Sequence, residues 1–276
     1  MIQTLDALST EYLTTVFNLA FSDYLLPMQL TSEALRHKML LENIDLSLSY
    51  GYFDEGELKG FILHGREAQT LYNAGTGVVP GFRGRSLTRR LYDHMLPELH
   101  KQGITQHTLE VLEPNSRAIY VYEQIGFKAL RKLYCFNGTP KDIQLNHEIK
   151  IQQVALPALE QYFDEPEWIF SWQNKRKAIE RTPELHQMWL AHSKDMPVGY
   201  IVCSSAGHIR QMYLLPEYRR MHIGSSLLHH AFTALNVPQL KAINVDERCV
   251  TAMPFLEASG LHCFTSQIEM GMIYDV

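Results

Sequence analysis

Between Val78 and Leu91 the chain passes from an apolar run into a helical pattern through the turn Pro80-Gly81-Phe82-Arg83-Gly84-Arg85-Ser86-Leu87-Thr88. The first N–H groups of a helix have no intrahelical partner, and the macrodipole concentrates partial positive charge there. A pyrophosphate is the natural ligand of such a place. Gly84 lets the backbone approach closely because no Cβ intervenes. Arg83, Arg85, Arg89 and Arg90 add local positive charge to a chain whose net charge is −5. Standing alone, the same residues would also suit an ordinary solvated helix start. Other chemistries find less support. The 13 histidines include no pair at convincing ligand spacing. His229 and His230 are adjacent, so on a helix they point about 100° apart. The four cysteines (Cys135, Cys203, Cys249, Cys263) form no C-x-x-C pair, and nothing beside Cys249 in the sequence would activate it. No metal is expected.

The turn does not stand alone. GVVPGFRGRSLTRRLYDHMLPEL reappears as MYLLPEYRRMHIGSSLLHHAFTAL, with Pro80 and Arg83 matched 136 residues later by Pro216 and Arg219. Further on, Gly126 of VYEQIGF is matched 134 residues later by Gly260 of PFLEASGL. Both offsets are near half of the 276 residues, so the duplication covers nearly the whole chain. Two α/β units follow, 1–138 and 139–276, meeting near the turn formers Asn137-Gly138-Thr139-Pro140.

Periodicity places the elements around these motifs. Helices are predicted at 10–21, with Leu13, Val16, Phe17, Ala20 and Phe21 inward, and at 32–43, with Leu35, Met39 and Leu40 inward. A third starts after Arg85 on the stripe Leu87, Leu91, Met95 and Leu99, and Pro97 should kink or end it. Strands are expected at 46–53, 58–64, 70–79, 105–112 and 128–136, with a helix at 117–124. The second half repeats the order: strands at 185–192, 198–204, 208–214, 241–245 and 262–270, helices from Ile223 and at 251–257. The composition, 46% hydrophobic and 20% charged, suits two ordinary globular domains without disulfides. A pI near 6.2 implies no general affinity for polyanions, so neither nucleic acid nor a membrane surface is an expected partner. There is no signal-peptide pattern and no run of about 18 apolar residues, so a reduced, cytoplasmic setting is expected.

Val78-x-Pro80-x-x-Arg83-Gly84 with Leu91, followed by Asn115-x-x-Ala118-x-x-x-Tyr122-Glu123-x-x-Gly126-Phe127, resembles the GNAT N-acetyltransferase superfamily. The resemblance is strong from about Leu58 to Phe136. Ser171 to Ile179 (SWQNKRKAI) is similar to a stretch of tandem GNAT proteins. The resemblance implies an α/β (α+β) fold of two domains. Each would hold a mixed, mostly antiparallel sheet, helices on both faces and a splayed pair of parallel strands. It implies acetyl-CoA in the opening between those strands, its phosphates on Arg83-Gly84-Arg85-Ser86-Leu87-Thr88. Ser86 and Thr88 stand where the family has small residues. A bulge on the fourth strand, at Val78 and Val79, would free a backbone N–H for the thioester oxygen, as an oxyanion hole. A primary amine would attack directly, proximity supplying most of the acceleration.

Tyr122 stands where many family members place a tyrosine near the departing sulfur, so it is the expected general acid. It would also serve as a packed aromatic. Asn115 resembles the family's pantetheine contact and would also suit a helix cap. Glu110 is the expected base because its strand borders the opening; a solvated or ion-paired role is equally open, and Glu113 and Asp23 are weaker choices. In the second copy His222 stands at the turn, Leu256 replaces Tyr122 and Cys249 replaces Asn115. The first copy is therefore expected to be catalytic and the second degenerate, shaping the cleft or stabilising the first. The function expected is acetyl-CoA-dependent acetylation of a small-molecule or peptide amine. The alternatives are a non-catalytic acyl-CoA-binding or scaffolding protein, and transfer of another acyl group. The first two helices and the aromatic stretch after Phe21 would line the acceptor side or join the core.

Overall fold

The computed structural model describes residues 1–141, 144–159 and 170–273. The chain divides into two compact units, Met1–Arg131 with Ile268–Val276, and Lys132–Gln267. The division falls inside one strand, a few residues before the turn at 137–140. It also assigns the last residues of the chain to the first unit.

The first unit starts with β1 (Ile2–Thr4), α1 (Thr10–Ala20) and α2 (Ser32–Glu42). Ser9 and Thr31 cap the two helices, each accepting an N–H three residues on. The predicted inward face of α1 is buried throughout, its Phe17 ring stacked on Phe61 at 5.9 Å. On α2 the prediction slips by one residue: Leu41 is buried and Leu40 is 54% exposed. Then follow β2 (Tyr50–Asp54), β3 (Glu57–Glu67), β4 (Thr70–Val78), α3 (Leu87–Lys101), β5 (Gln106–Leu112) and α4 (Ser116–Ile125). Pro97 does not end α3, which runs on to Lys101, and Leu87, Leu91, Met95 and Leu99 form its buried stripe as the pattern requires. β1 to β4 pair antiparallel and β4 pairs parallel with β5.

β6 (Lys128–Gly138) carries the chain into the second unit and β12 (Leu261–Ile273) brings it back. In the first unit the end of β12 lies beside β5, and the start of β6 beside that. Arg131 and Glu269 join these two strand ends by a bidentate ion pair at 2.7 and 2.9 Å. Met270 is fully buried among the side chains of α3, β5 and α4. The last strand therefore completes the first core, which a strictly sequential reading of two repeats cannot foresee.

The second unit holds β7 (Ile149–Val154), α5 (Arg176–Arg181), β8 (His186–Ser193), β9 (Met196–Ser204), β10 (His208–Leu214), α6 (Ile223–Leu235), β11 (Leu240–Asp246) and α7 (Ala252–Ala258). Its strand order is β12-β6-β11-β10-β9-β8-β7, and from β6 to β7 the pairs are antiparallel except for the parallel pair β10–β11. β1 and β7 are the two strands the periodicity does not predict; three residues, or six half-exposed ones, carry too little pattern.

Replacing Met270 by alanine leaves a cavity in the first unit's core. It should destabilise the protein by about 2–5 kcal/mol, read as a lower thermal midpoint in calorimetry.

Candidate active site

In the first unit β4 and β5 pair only at four positions, from Thr70–Gln106 to Asn73–Leu109. One residue further on, β4 bulges. Leu63 of β3 faces Gly75 and His64 faces Asn73, so Ala74 is the extra residue. The bulge thus lies at Ala74, four residues before the stretch expected for it. Val79 donates its N–H to the Lys59 carbonyl at 3.0 Å, so that amide is held by β3 and is not free for a ligand. Antiparallel bonding alternates, so the amides of Thr76 and Val78 turn to the other edge, into the fork where β5 has separated.

The fork leads to the turn. A 3-10 turn at Pro80–Phe82 carries the chain over the end of β4. Gly84 takes φ +76° and Ser86 φ +54° before α3 starts at Leu87. These left-handed positions aim successive N–H groups one way. No side chain caps α3, which leaves the amides of Leu87, Thr88 and Arg89 facing the turn. Of the arginines, Arg83 has a structural task. Its Nη atoms meet both Asp23 oxygens at 2.6 and 2.7 Å and the Ala20 carbonyl at 2.9 Å. Its Nε donates to the Val78 carbonyl at 3.1 Å. Arg83 therefore clamps the end of β4 to the end of α1 rather than offering its guanidinium to a phosphate. Asp23 is held below the usual carboxylate range by the Arg83 hydrogen bonds, and as their acceptor it is a poor base. Arg85 lies over the Phe82 ring and reaches the Gly81 carbonyl at 3.2 Å. Arg89 holds Asp93 and the Gln124 carbonyl, and Arg90 lies over Tyr52. The cation that approaches Gly84 is Arg117, whose Nη2 lies 4.0 Å from the position a Gly84 Cβ would take. It sits in the first turn of α4, exposed, and sequence reasoning missed it because it falls outside the family motif.

α4 supplies two further expected residues. Asn115 caps it, its Oδ1 accepting the Ala118 N–H at 3.2 Å, and its side chain lies near Tyr24. Tyr122 is buried two turns on, its ring edge-on to Tyr92 and Phe127. Its hydroxyl lies near the side chains of Thr76 and Asn73. Burial pushes the Tyr122 phenol above its ordinary value, and the nearby polar side chains of Thr76 and Asn73 oppose the rise. Gly126, at φ +119°, ends the helix in a left-handed turn that takes the Tyr122 and Glu123 carbonyls. Tyr24 lies near enough to Tyr122 to influence its charge, and the sequence showed it only as part of an aromatic stretch.

Glu110 occupies the first β5 position past the last β4–β5 pair. Its carboxyl accepts a short hydrogen bond from the Tyr72 hydroxyl, and Oε1 is buried with no partner, although the residue keeps some surface. Burial pushes its pKa up to about 8, with Glu269 and Glu42 adding to the rise and Tyr72 opposing it. Tyr72 and Asn73 are consecutive strand residues, so they point to opposite faces of the sheet. Glu110 and Tyr122 therefore flank the fork from its two sides and do not touch. Glu113, the other candidate base, is exposed. Two histidines are core residues: His64 and His107 are fully buried with rings 4.8 Å apart, and burial pushes His64 down to about 4.

The second unit builds the same fork and closes it. β10 and β11 pair only at His208–Lys241 and Ile209–Ala242, and Arg210 is the bulge residue. Arg219 repeats the arginine clamp, donating to the Leu214 carbonyl from Nε and Nη2. Arg220 and His222 adopt φ +64° and +59°, the backbone of Gly84 and Ser86 without the glycine. The buried 3-10 turn Trp172–Asn174 bridges the separated strands. Asn174 donates from Nδ2 to the Ile243 carbonyl of β11 at 2.8 Å and accepts Gln211 Nε2 of β10 on its own carbonyl at 2.7 Å. Leu256 and Cys249, opposite Tyr122 and Asn115 in the repeat, are buried.

This geometry agrees with comparisons to known proteins. The Acetyltransferase (GNAT) family matches residues 13–127 and the Acetyltransferase (GNAT) domain matches residues 160–275. The chain belongs to the GNAT acetyltransferase family and is a tandem of two such domains. Over 58 residues it is 41% identical to the [Ribosomal protein bS18]-alanine N-acetyltransferase of Salmonella typhimurium and 40% identical to that of Escherichia coli K12. The match takes in 21% of the chain and spans only 38% of the length of those curated relatives. Among solved structures, a GCN5-related N-acetyltransferase from Sphaerobacter thermophilus aligns over 99% of this chain and 95% of its own, with TM-score 0.74 and 16% identity. A tandem GNAT protein from the clavulanic acid biosynthesis pathway aligns over 99% and 98%, with TM-score 0.69 and 12% identity. At such identities these two share the fold. Among the described residues no helix is long and apolar enough to cross a membrane.

A carboxyl whose folded pKa is raised keeps its proton longer in the native than in the unfolded state. Stability should therefore fall as pH rises from the ordinary glutamate range to about 8, and level off above. Glu110→Gln should lose that part of the slope, measured as denaturation midpoints of both proteins across this range.

Proposed function

We propose that the first unit transfers an acetyl group from acetyl-CoA to a primary amine by direct attack on the thioester. One observation carries the reading: the outward amides of Thr76 and Val78, the uncapped start of α3 and the Tyr122 hydroxyl all border one fork. The pyrophosphate takes the amides of Gly84, Arg85, Ser86, Leu87 and Thr88, with Arg117 as the nearby cation, while Arg83 holds the turn in shape. The pantetheine arm takes the place of the missing β5 partner along β4, where the amides of Thr76 and Val78 are its donors and Asn115 lies at the far side. As the amine attacks, negative charge grows on the thioester oxygen, which a fixed backbone amide stabilises without reorganising. Tyr122 protonates the departing sulfur and Glu110 takes the proton of the amine from the other face. With a pKa of about 8, Glu110 is half ionised in mildly alkaline solution, where an amine also becomes competent. The acceptor is a small-molecule or peptide amine. The local likeness to alanine N-acetyltransferases of a ribosomal protein makes a peptide starting with alanine the first to try.

We assign the second unit no cofactor, because Asn174 and Gln211 already link its separated strands. Isothermal titration should find one acetyl-CoA per chain; two equal sites would overturn this assignment.

The experiment for the whole reading is thiol release from acetyl-CoA over a panel of amines that includes alanine-starting peptides. Wild type should turn over at least one, with kcat/KM rising through pH of about 8. Tyr122→Phe should slow that reaction about 100-fold or more. If acetyl-CoA binds tightly and no amine supports turnover, the protein is a binding module and the reading fails.

A further inference from the structure

Asn73 is a polar side chain in the middle of the first core, only 6% exposed, and its hydrogen bonds fix which way its amide faces. Its Oδ1 accepts the Gly75 N–H, at the bulge, at 3.0 Å. That leaves Nδ2 on the other side, where it donates to the Thr76 hydroxyl and to the Tyr92 hydroxyl, each at 2.8 Å. A carboxamide nitrogen cannot accept, so this arrangement has one sense only. Both amide hydrogens are thereby placed, and the Thr76 oxygen is an acceptor. The Thr76 hydrogen is then left to point onward, toward the neighbouring Tyr122, whose ring packs edge-on against Tyr92 at 6.3 Å. A phenol that accepts from Thr76 keeps its own hydrogen for a third partner.

We infer that Asn73 and Thr76 are positioning residues that set the direction of the Tyr122 hydroxyl, aiming its hydrogen into the fork between β4 and β5. This rests on Tyr122 being the acid of the proposed reaction. In that step the amine nitrogen forms its bond to the thioester carbon and the carbon–sulfur bond breaks. The electron pair leaves on sulfur and the Tyr122 proton goes to it. The amine's surplus proton leaves through Glu110 or water. The phenolate left on Tyr122 accepts the Thr76 hydrogen bond until water returns the proton. A relay from a backbone amide through Asn73 and Thr76 thus does two things. It holds the donor in the reactive orientation before transfer and stabilises the anion after it. The bulge at Ala74 would then serve the acid as well as the amides of the fork, because Gly75 is what fixes the sense of Asn73.

The test is a double-mutant cycle on the full chain, with acetyl-CoA and the best amine from the panel above. Thr76→Val removes the hydroxyl with little change of shape and should lower kcat about 10-fold, the worth of one hydrogen bond made in the transition state. KM for acetyl-CoA should stay within about twofold, because no ground-state contact is lost. Thr76→Ser, which restores a hydroxyl, should recover most of the rate. In the Tyr122→Phe background Thr76→Val should cost nothing further, since the group it orients is gone. An unchanged kcat in Thr76→Val, beside a slow Tyr122→Phe, would overturn this inference and leave the acid assignment standing. The same would follow from an equal loss in both backgrounds, the mark of a purely structural residue. A fully active Tyr122→Phe would overturn the acid assignment, and this inference with it. Thermal denaturation of each variant shows whether a lost rate is a lost fold.

Discussion

The parallel ladder between β4 and β5 stops at Asn73–Leu109, and almost everything our proposal uses in the first unit depends on that interruption. Had the two strands continued to pair, the amides of Thr76 and Val78 would be saturated by β5 and no cleft would exist. Two local devices keep the strands apart. The extra residue Ala74 shifts the register of β4 against β3, and the Arg83 clamp ties the end of β4 to Asp23 and the end of α1. Unpaired strand edges are costly when buried, because each amide forgoes a hydrogen bond. An edge of this kind persists where something else completes it: in the first unit a ligand under our proposal, in the second the chain's own Asn174.

That contrast explains how two copies of one fold come to differ. The duplication preserved the backbone with some fidelity. The bulge residues Ala74 and Arg210, the clamps Arg83 and Arg219, and the left-handed positions Ser86 and His222 all keep the same spacing. What changed is the side chains that reach into the fork. Arg220 holds a left-handed conformation that glycine adopts more readily, so the turn has been retained without the close approach Gly84 allows. The second unit is in this sense a fold whose opening has been sealed by hydrogen bonds between its own residues.

The sequence announced the parts that repeat with strong pattern. The stripe Leu87, Leu91, Met95 and Leu99 specified α3, and the matched prolines, arginines and glycines specified the turns, because each is set by local backbone chemistry. Two things stayed hidden because they depend on partners far away in the chain, and a third because its pattern is weak. Met270 belongs to the first core although it lies in the second half, since a strand's neighbours are set by sheet order and not by sequence order. Arg83 looked like a phosphate ligand because an arginine beside a glycine turn is compatible with both roles, and only Asp23, 60 residues away, decides between them. The bulge was expected at Val78 and Val79 and lies at Ala74, because a register shift leaves little trace in a run of small residues such as Asn73-Ala74-Gly75-Thr76-Gly77.

Glu110 and Tyr122 illustrate a further step from position to chemistry. Both are buried beside a fork, and burial disfavours the charged form of each, yet their surroundings push them apart in use. Glu110 has one oxygen on Tyr72 and one with no partner, and burial raises its pKa to about 8, so it exchanges its proton in mildly alkaline solution. Tyr122 sits beside the Thr76 hydroxyl, which lowers the cost of the anion it would become. Successive residues of β4, Tyr72 and Asn73, supply those two environments on opposite faces of the sheet. A single strand that alternates from Tyr72 to Asn73 thereby separates the group suited to receive a proton from the group suited to give one. The gap between β4 and β5 is the place where a reacting thioester would lie between them.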